Sequence, residues 1–261
     1  QATQTRNFIP VLGASGSGKS SVVLAGLVPE LLKLGNWKFT HFRPGSAPFY
    51  AMAEALVPLY RRDSDDTDEI VQTNKLAKHF HNGDISLSNV ISKIQRNYPN
   101  HKVLLIADQF EELYAHCQNN EEQHSFLEQV LQVINNNAQF YFVLTLRADF
   151  LVYALSYRPF ADALQDADVK LGPMNREELK VAIEEPAKSR GVNLQDGLSE
   201  RIIKDVEGKT GNLPLLQFAL KQLWEKRDGM ELTHQAYEEI GGVENALAKY
   251  ADNVYQGLDK E

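Results

Sequence analysis

Short apolar runs alternate with longer segments of helical periodicity through the first two thirds of the chain. Apolar runs of this length are typical of strands buried on both faces of a parallel sheet. The strands predicted from such runs are Phe8–Leu12, Val103–Ala107, Phe140–Leu146 and Val169–Leu171, and Trp37–Phe42 is predicted as a strand because it alternates polar and apolar residues. The predicted helices between them are Lys19–Leu34, Pro48–Tyr60, Ser86–Asn97 and Glu121–Asn135. This alternation predicts an α/β fold with a doubly wound parallel sheet of about five strands, covered by helices.

The pattern after Pro173 is that of helices alone. Asn175, followed three residues later by Glu178, has the form of a capping box at a helix start. Pro214 stands where the first position of a further helix is expected, ahead of an apolar stripe. We therefore expect a core domain over residues 1–172, an all-helical lid domain over 173–230 and a further helical segment over 231–261.

The composition is that of an ordinary soluble globular protein, with 43% hydrophobic and 24% charged residues. The net charge is −8, and the longest basic cluster is the pair Arg61 and Arg62. Electrostatics therefore gives no drive towards nucleic acid, which we do not expect as a partner. The acidic run Asp63–Glu69 is predicted to be a solvated loop or the start of a helix, not a metal site.

The sequence favours a cytoplasmic location and gives no sign of a membrane partner. A single cysteine, Cys117, excludes an intrachain disulfide. No run of about eighteen apolar residues is present to span a membrane, and the first residues lack the pattern of a signal peptide. Because the sequence starts just before its first strand and stops within a helical pattern, we expect it to be part of a longer protein.

The segment Gly13–Ser20 reads G-A-S-G-S-G-K-S and directly follows the first predicted strand. Its glycines allow main-chain N–H groups to surround a phosphate, and the helix that opens at Lys19 directs its positive end there. Lys19 supplies a charge for the β- and γ-phosphates, and the Ser20 hydroxyl is a ligand for Mg²⁺. The predicted ATP/ADP contacts are Gly13, Ala14, Ser15, Gly16, Ser17, Gly18, Lys19, Ser20 and Ser21.

Three acidic residues follow the predicted strand Val103–Ala107. A carboxylate at the C-terminal end of a buried strand can hold Mg²⁺, usually through water, beside a phosphate loop, and Asp108 is predicted to be that residue. A second carboxylate just beyond it could orient or polarise an attacking water. Glu111 and Glu112 both qualify, and spacing does not choose between them. The alternative is that both simply begin a solvent-facing helix.

Arg147 stands at the end of the predicted strand Phe140–Leu146. Because the strand ends of a parallel sheet point to one edge, we expect its guanidinium near the γ-phosphate, where it could sense or stabilise negative charge. The alternative is a structural ion pair with Asp149 or another carboxylate. Arg43, at the end of the second predicted strand, is a secondary candidate of the same kind.

These segments together resemble the STAND class of P-loop NTPases, and most closely its novel STAND NTPase branch, found in bacterial multidomain proteins. The resemblance covers essentially the whole chain. Asp108, Glu111 and Glu112 have the spacing of the acidic box in the related NACHT switches. The matching segments are G-A-S-G-S-G-K-S-S-V-V-L-A-G-L-V-P, F-R-P-G, L-L-I-A-D-Q-F-E-E-L, L-T-L-R-A-D-F, L-G-P-M-N-R-E-E-L, G-N-L-P-L-L-Q-F-A-L-K-Q-L-W and I-G-G-V-E-N-A-L-A.

The resemblance implies a helical lid domain in which a G-x-P-like motif packs against the nucleotide base. Gly211–Leu215 reads G-N-L-P-L, with one residue more between Gly and Pro than the shortest form of the motif. Pro214 is therefore the expected base contact, and the alternative is that it only starts a helix. A winged-helix domain usually follows the lid, and the segment from Val243 is expected to begin it.

The resemblance also implies a two-state device. In its ATP state the γ-phosphate would contact Lys19, Mg²⁺ and Arg147, the subdomains would reorient and protomers of the full-length protein would assemble. Slow hydrolysis would then reset the switch. Effector and repeat-sensor domains, often WD-repeat propellers, are expected in the same parent chain.

An ATPase switch is the functional hypothesis that Glu111 and Glu112 favour. The second hypothesis is a nucleotide-gated scaffold that binds ATP or ADP without significant turnover. A small-molecule kinase would use the same loop, but the sequence contains no obvious acceptor-binding constellation. The segment Asn74–Ala77 reads N-K-L-A and lacks the final Asp of the GTPase motif N-K-x-D, which favours adenine over guanine.

Overall fold

A computed structural model of the chain describes residues 6–61, 66–208 and 211–258. By their packing, the described residues fall into two compact units. The first contains residues of 1–13 and 19–171, and the second contains residues 14–18 and residues of 172–261. The predicted domain limits at residues 172 and 230 remain predictions, and each unit is described by itself below.

The first unit is built on a five-stranded parallel sheet, as the alternation of apolar runs predicts. The strand order is β2-β3-β4-β1-β5, so β1 lies between β4 and β5 and pairs with both in parallel. The register places Gly13, the last residue of β1, beside Arg147, the last residue of β4. The strands are β1 (Phe8–Gly13), β2 (Trp37–Phe42), β3 (Lys102–Ala107), β4 (Phe140–Arg147) and β5 (Val169–Leu171).

Both faces of the sheet are covered, which confirms the doubly wound arrangement. Along β3, Val103 and Leu105 belong to one buried cluster, whereas Leu104 and Ile106 belong to another. Successive side chains of a strand point to opposite faces, so the two clusters are the two sides of one sheet. The helix that follows the phosphate loop packs on the smaller cluster, and the longer helices pack on the larger one.

The helix after the phosphate loop, α1, has three consecutive parts. It begins as an α-helix (Lys19–Ser21), continues as a π-helix (Val22–Leu27) and ends as an α-helix (Val28–Lys33). Pro29 lacks the N–H that a regular α-helical ladder needs at this point, so the hydrogen-bond pattern changes just ahead of it.

The other helices of the first unit include three that match predicted segments closely and several that the sequence analysis did not predict. They are α2 (Pro48–Tyr60), α3 (Asp66–Asn82), α4 (Leu87–Asn97), α5 (Glu112–His116), α6 (Asn120–Asn136), a 3₁₀ turn (Ala148–Phe150), α7 (Leu151–Ala154) and α8 (Arg158–Leu164). The sequence analysis predicted no helix over the span of α3. This helix buries Thr73, Leu76 and Phe80 at helical spacing. The acidic residues Asp66–Glu69 form its start, and residues 63–65 of the same run lie outside the described residues.

The second unit is mainly helical, and the prediction that it is helical throughout is wrong in one detail. Two two-residue strands, β6 (Asn193–Leu194) and β7 (Glu231–Leu232), pair in parallel between the helices. The expected capping box is present, because Glu178 N donates to Asn175 Oδ1 at 2.9 Å and Asn175 N donates to Glu178 Oε2 at 2.8 Å. The helices are α9 (Arg176–Lys188), α10 (Leu198–Val206), α11 (Leu213–Glu225), α12 (His234–Ile240) and α13 (Gly242–Leu258).

One buried cluster holds the second unit together. It joins Leu179 of α9 and Leu216 of α11 to Tyr237 of α12 and Val243 of α13. Residues after 231 therefore share a core with the preceding helices, and their assignment to a winged-helix domain remains a prediction. Within the described ranges, no helix combines the length and the apolar character that a bilayer crossing requires.

Candidate functional site

The phosphate loop is curled, as its glycine pattern predicts. Gly16 has φ +69° and Gly18 has φ +85°, values that side-chain-bearing residues seldom adopt. Between them Ser17 N donates to Ala14 O at 3.3 Å, which closes a turn. The Ser17 hydroxyl oxygen is buried and has no hydrogen-bond partner among the residues that the structure describes. A loop of this shape with an unsatisfied hydroxyl fits a phosphate, whose oxygens would accept that hydrogen bond.

Within the second unit, to which loop residues 14–18 belong, Pro214 packs against the tip of the loop. A Cβ atom added at Gly16 would lie 3.0 Å from Pro214 Cδ and 3.1 Å from Gly211 O. Pro214 also occupies the first turn of α11, where its missing N–H costs nothing. The structure is thus compatible with a helix-starting role and puts this proline at the phosphate loop. Its contact with a nucleotide base remains a prediction.

Lys19 is the buried cation of the first unit's phosphate site. Its side chain is largely withdrawn from water, and Nζ donates to Gly13 O at 3.1 Å. Burial lowers the pKa of the Lys19 ammonium below its usual value, while the carboxylate of Glu111 is the strongest opposing influence. The ammonium thus lies in a negative environment at the end of β1, close to the backbone of the residue that opens the loop.

Ser20 and Asp108 meet across the site, although 88 positions separate them in the chain. Ser20 Oγ donates to Asp108 Oδ1 at 2.6 Å, and Thr145 Oγ1 donates to the same oxygen at 2.7 Å. The Asp108 side chain is only 2% exposed. Mg²⁺ beside phosphates is commonly held by one or two protein oxygens, with phosphate and water completing the shell. A serine hydroxyl bonded to a strand-end carboxylate provides such a pair, so the residues fit this ion.

The two candidate general bases have different surroundings. Glu111 Oε2 accepts a hydrogen bond from the main-chain N–H of Arg147 at 3.2 Å, and its charge acts on Lys19. Glu112 is the first residue of α5, and its N–H bonds Gln109 O at 2.9 Å. The structure therefore directs Glu111 towards the end of β4. Glu112 begins a helix, as the alternative in the sequence analysis has it.

Arg147 forms the ion pair that the sequence analysis raised as the alternative to phosphate sensing. Its Nε bonds Asp149 Oδ1 at 3.1 Å, and its Nη2 bonds Asp149 Oδ2 at 2.6 Å. The guanidinium also lies over the ring of Phe150, 5.3 Å from its centre. These hydrogen bonds raise the pKa of Arg147 and lower the pKa of Asp149. Arg43 Nε lies 3.6 Å from Asp108 Oδ2.

The structure brings Lys19, Ser20, Asp108, Glu111 and Arg147 to one edge of the sheet, at the C-terminal ends of β1, β3 and β4. The remaining predicted contact on α1, Ser21, is exposed. Sequence reasoning missed Thr145, which bonds Asp108. The signal that could have found it is a single polar residue within the apolar strand F-Y-F-V-L-T-L-R. Among the residues described, no group of three or more His, Cys, Asp or Glu side chains could hold a metal ion.

Residues 1–261 match the family model for Novel STAND NTPase 1. No curated protein matches this sequence. Among solved structures, the chain is similar to the Aeropyrum pernix ORC2 protein in its ADP form, with 17% identity, TM-score 0.57, and coverage of 93% of this chain and 62% of that one. It is also similar to a Walker-type ATPase of Pyrococcus abyssi, with 11% identity, TM-score 0.57, and coverage of 99% and 71%.

A third structure, the Aeropyrum pernix ORC1 protein in complex with DNA, has 14% identity, TM-score 0.56, and coverage of 94% of this chain and 59% of that one. This chain thus spans about three fifths of the length of both ORC proteins. At these identities the likeness concerns the fold: a parallel P-loop sheet followed by helices.

Proposed function

Because the chain belongs to the novel STAND NTPase 1 family, we propose that it is an ATP- and ADP-binding signal-transduction switch that hydrolyses ATP slowly with Mg²⁺. The observation that carries this proposal is the 2.6 Å hydrogen bond between Ser20 and Asp108. It joins the helix after the phosphate loop to the acidic segment that follows β3, an arrangement that suits a Mg²⁺-nucleotide.

The chain's own residues would bind the polyphosphate in defined roles. The loop amides and the Ser17 hydroxyl would donate to phosphate oxygens, and the Lys19 ammonium would exchange its bond to Gly13 O for the β- and γ-phosphates. Ser20 and Asp108 would hold Mg²⁺, which when bound supplies positive charge that neutralises the phosphates. Since Ser20 donates its single hydrogen to Asp108, its lone pairs remain for this role.

Glu111 is the residue that we propose to orient the attacking water. A carboxylate in this role acts as a general base or as a hydrogen-bond acceptor that fixes the water in line. The bond from Arg147 N leaves the carboxylate of Glu111 with further lone pairs for a water. Its electrostatic effect on Lys19 supports a position facing the phosphate-binding ammonium.

Arg147 is the residue that we propose to distinguish ATP from ADP. Its guanidinium pairs with Asp149 in the structure, and it would exchange that carboxylate for the γ-phosphate. A ligand shifts a two-state equilibrium only through its different affinities for the two states. The γ-phosphate contacts would therefore carry the switch. Reorientation of the two units, and assembly of protomers of the full-length protein, would follow.

A nucleotide-gated scaffold without significant turnover is the second candidate function. The observation that favours it is the bidentate Arg147–Asp149 pair, which leaves the guanidinium engaged on the protein itself. If this pair persisted with ATP bound, the transition state would lack the charge of Arg147, with only Lys19 and Mg²⁺ remaining, and turnover would be low.

The proposed partners follow the family resemblance. Effector and WD-repeat sensor domains are proposed for the parent chain, and ATP or ADP is proposed as the ligand, as in the ADP form of ORC2. One structural neighbour is in complex with DNA. Because this chain has a net charge of −8, we retain the prediction that nucleic acid is not its partner.

The function is tested by nucleotide extraction and phosphate release. Nucleotide extracted from freshly purified protein should be adenine nucleotide, and Lys19→Ala should abolish its retention. Phosphate release by Lys19→Ala should fall by about 10²- to 10³-fold, as for loss of one preorganised charge donor. Lys33→Ala removes an exposed lysine on the same helix, which pairs with Glu30 one turn away, and should act like the wild type. Equal phosphate release by wild type and Lys19→Ala would remove the ATPase proposal and leave the scaffold.

A further inference from the structure

Thr145 is a buried polar residue in the apolar strand β4. It is 1% exposed, and every residue of the strand before Arg147 is buried. A buried hydroxyl is costly unless it is hydrogen bonded, so its partners show what the position is for. None of these partners lies within β4 itself.

Thr145 bonds three consecutive residues at the end of β3. Its hydroxyl donates to Asp108 Oδ1 at 2.7 Å and accepts from Gln109 N at 2.9 Å. Its carbonyl oxygen accepts from Phe110 N at 2.8 Å. The single hydroxyl hydrogen is therefore directed at the carboxylate, because a hydroxyl that donates to one group can accept only through its lone pairs.

The bond to Asp108 orients a carboxylate that has little access to water. The same oxygen accepts from Ser20 Oγ, but Ser20 belongs to the helix that follows the phosphate loop. Thr145 belongs to the central sheet, between β1 and β3. Its hydroxyl thus fixes the carboxylate to the sheet, independently of any change in the phosphate loop.

The bonds to Gln109 and Phe110 stabilise an unusual turn. Gln109 has φ +54°, a left-handed conformation that is uncommon for a residue with a side chain. Such conformations persist when the surroundings over-determine them. Thr145 holds the N–H groups of this residue and the next, and the turn then leads into Glu111.

We propose that Thr145 is a positioning residue of the nucleotide site, whose hydroxyl fixes the Asp108 carboxylate for Mg²⁺ and, by accepting from Gln109 N, helps to set the turn that presents Glu111. This proposal rests on the proposed function, since it concerns the same phosphate site. Thr145 acts through Asp108 and makes no contact of its own with nucleotide.

The test compares a variant of Thr145 that lacks the hydroxyl but keeps the side-chain volume with a variant that keeps the hydroxyl. Thr145→Val removes the hydroxyl at nearly constant volume, and Thr145→Ser restores it. Thr40→Val is the matched control, because Thr40 lies on β2 and its hydroxyl bonds Ala55 O at 2.8 Å, away from Asp108. For the 261-residue chain, the Kd of ADP is measured once with Mg²⁺ and once with EDTA. The Kd in EDTA divided by the Kd with Mg²⁺ is the Mg²⁺ enhancement of ADP binding.

Thr145→Val should lose about tenfold or more of the Mg²⁺ enhancement, as do other losses of a group that orients a metal ligand. The Kd in EDTA should stay close to that of the wild type. Thr145→Ser and Thr40→Val should keep the full enhancement. In the double variant with Asp108→Asn, adding Thr145→Val should have no further effect, because the hydroxyl acts through the carboxylate.

Full enhancement in Thr145→Val, or additive losses in the double variant, would overturn the proposal. A wild-type chain that binds ADP equally with and without Mg²⁺ would overturn it too. Should Thr145→Val fail to fold, the comparison of Thr145→Ala with Thr145→Ser decides in the same way. Failure of the wild type to bind any adenine nucleotide would instead overturn the proposed function, so the two failures are distinguishable.

Discussion

Two carboxylates at the C-terminal edge of the sheet are held in opposite ways. Asp108 is 2% exposed, and one of its oxygens accepts from the hydroxyls of Ser20 and Thr145. Asp149 is 57% exposed, and its two oxygens accept from the guanidinium of Arg147. Short side chains with few rotamers bond Asp108, whereas Asp149 is bonded by the long side chain of Arg147, two residues earlier in the chain.

This difference indicates which side chains of the site can exchange their hydrogen-bond partners when a nucleotide binds. A buried carboxylate that accepts two hydrogen bonds on one oxygen is costly to disturb, because its partners would be left unpaired away from water. An exposed ion pair contributes only about 0–1 kcal/mol, so a competing anion can displace one partner. We infer that the part of the site around Asp108 is fixed and that the part around Arg147 is exchangeable.

Glu111 connects the two parts. Its carboxylate accepts from the main-chain N–H of Arg147, which belongs to the strand and stays in place whatever the guanidinium does. The main chain of Arg147 therefore fixes Glu111, the residue proposed to orient water. The guanidinium of the same Arg147, the proposed γ-phosphate sensor, is exchangeable.

The largest expected effect sharpens this assignment. Glu111→Gln should lower the rate of ATP hydrolysis by about a hundredfold or more, since general acid–base groups commonly contribute 10²- to 10⁴-fold. Affinity for ADP should change little. The neighbouring variant Glu112→Gln is the control, because Glu112 begins α5, and it should keep most of the activity. Single-turnover phosphate release measures both. Equal losses in the two variants would contradict the choice of Glu111.

The next effect concerns the exchangeable part. Arg147→Ala should weaken ATP relative to ADP by about tenfold or more, because a hydrogen bond to a charged group contributes about 1.5–3 kcal/mol. Calorimetric titration with ADP and with a non-hydrolysable ATP analogue measures the ratio. Arg158→Ala is the control, since Arg158 forms an exposed pair with Asp162 elsewhere in the same unit. Similar losses for both nucleotides would argue against a γ-phosphate sensor.

Much of the fold could be predicted because local patterns and burial agree. Each predicted strand ends within one residue of the observed one. For the three largely apolar runs, in β1, β3 and β4, the reason is that such runs have no alternative place in a covered parallel sheet. Helix α3 was missed because acidic residues form its start and its two large apolar residues nearest that start, Ile70 and Val71, are exposed. Its buried residues begin only at Thr73.

Site residues could be predicted from the sequence where a polar residue directly follows a predicted strand. Asp108 and Arg147 each follow an apolar run, so the parallel sheet brings both to one edge. Spacing could not separate Glu111 from Glu112, because the choice depends on the left-handed turn at Gln109. Nor could it find Thr145, whose role depends on a partner 37 positions away in the chain.

The smallest expected effect is the most direct test of the comparison. Asp149→Asn keeps the size of the side chain and removes the charge that holds Arg147. If the guanidinium must leave Asp149 to reach the γ-phosphate, the variant should bind the ATP analogue up to about fivefold more tightly relative to ADP. A factor of about five corresponds to the roughly 1 kcal/mol that an exposed ion pair contributes at most. Asp162→Asn weakens the exposed pair with Arg158 and should leave the ratio unchanged.

The sign of this effect separates two roles for Asp149. A carboxylate that competes with phosphate for Arg147 raises the relative affinity for ATP when its charge is removed. A carboxylate that instead orients Arg147 towards the phosphate lowers that affinity when its charge is removed. Adding Arg147→Ala should cancel the gain, because both depend on the same guanidinium. A gain that survived without Arg147 would mean that Asp149 acts by general repulsion of nucleotide, and the exchange of partners would be the wrong explanation.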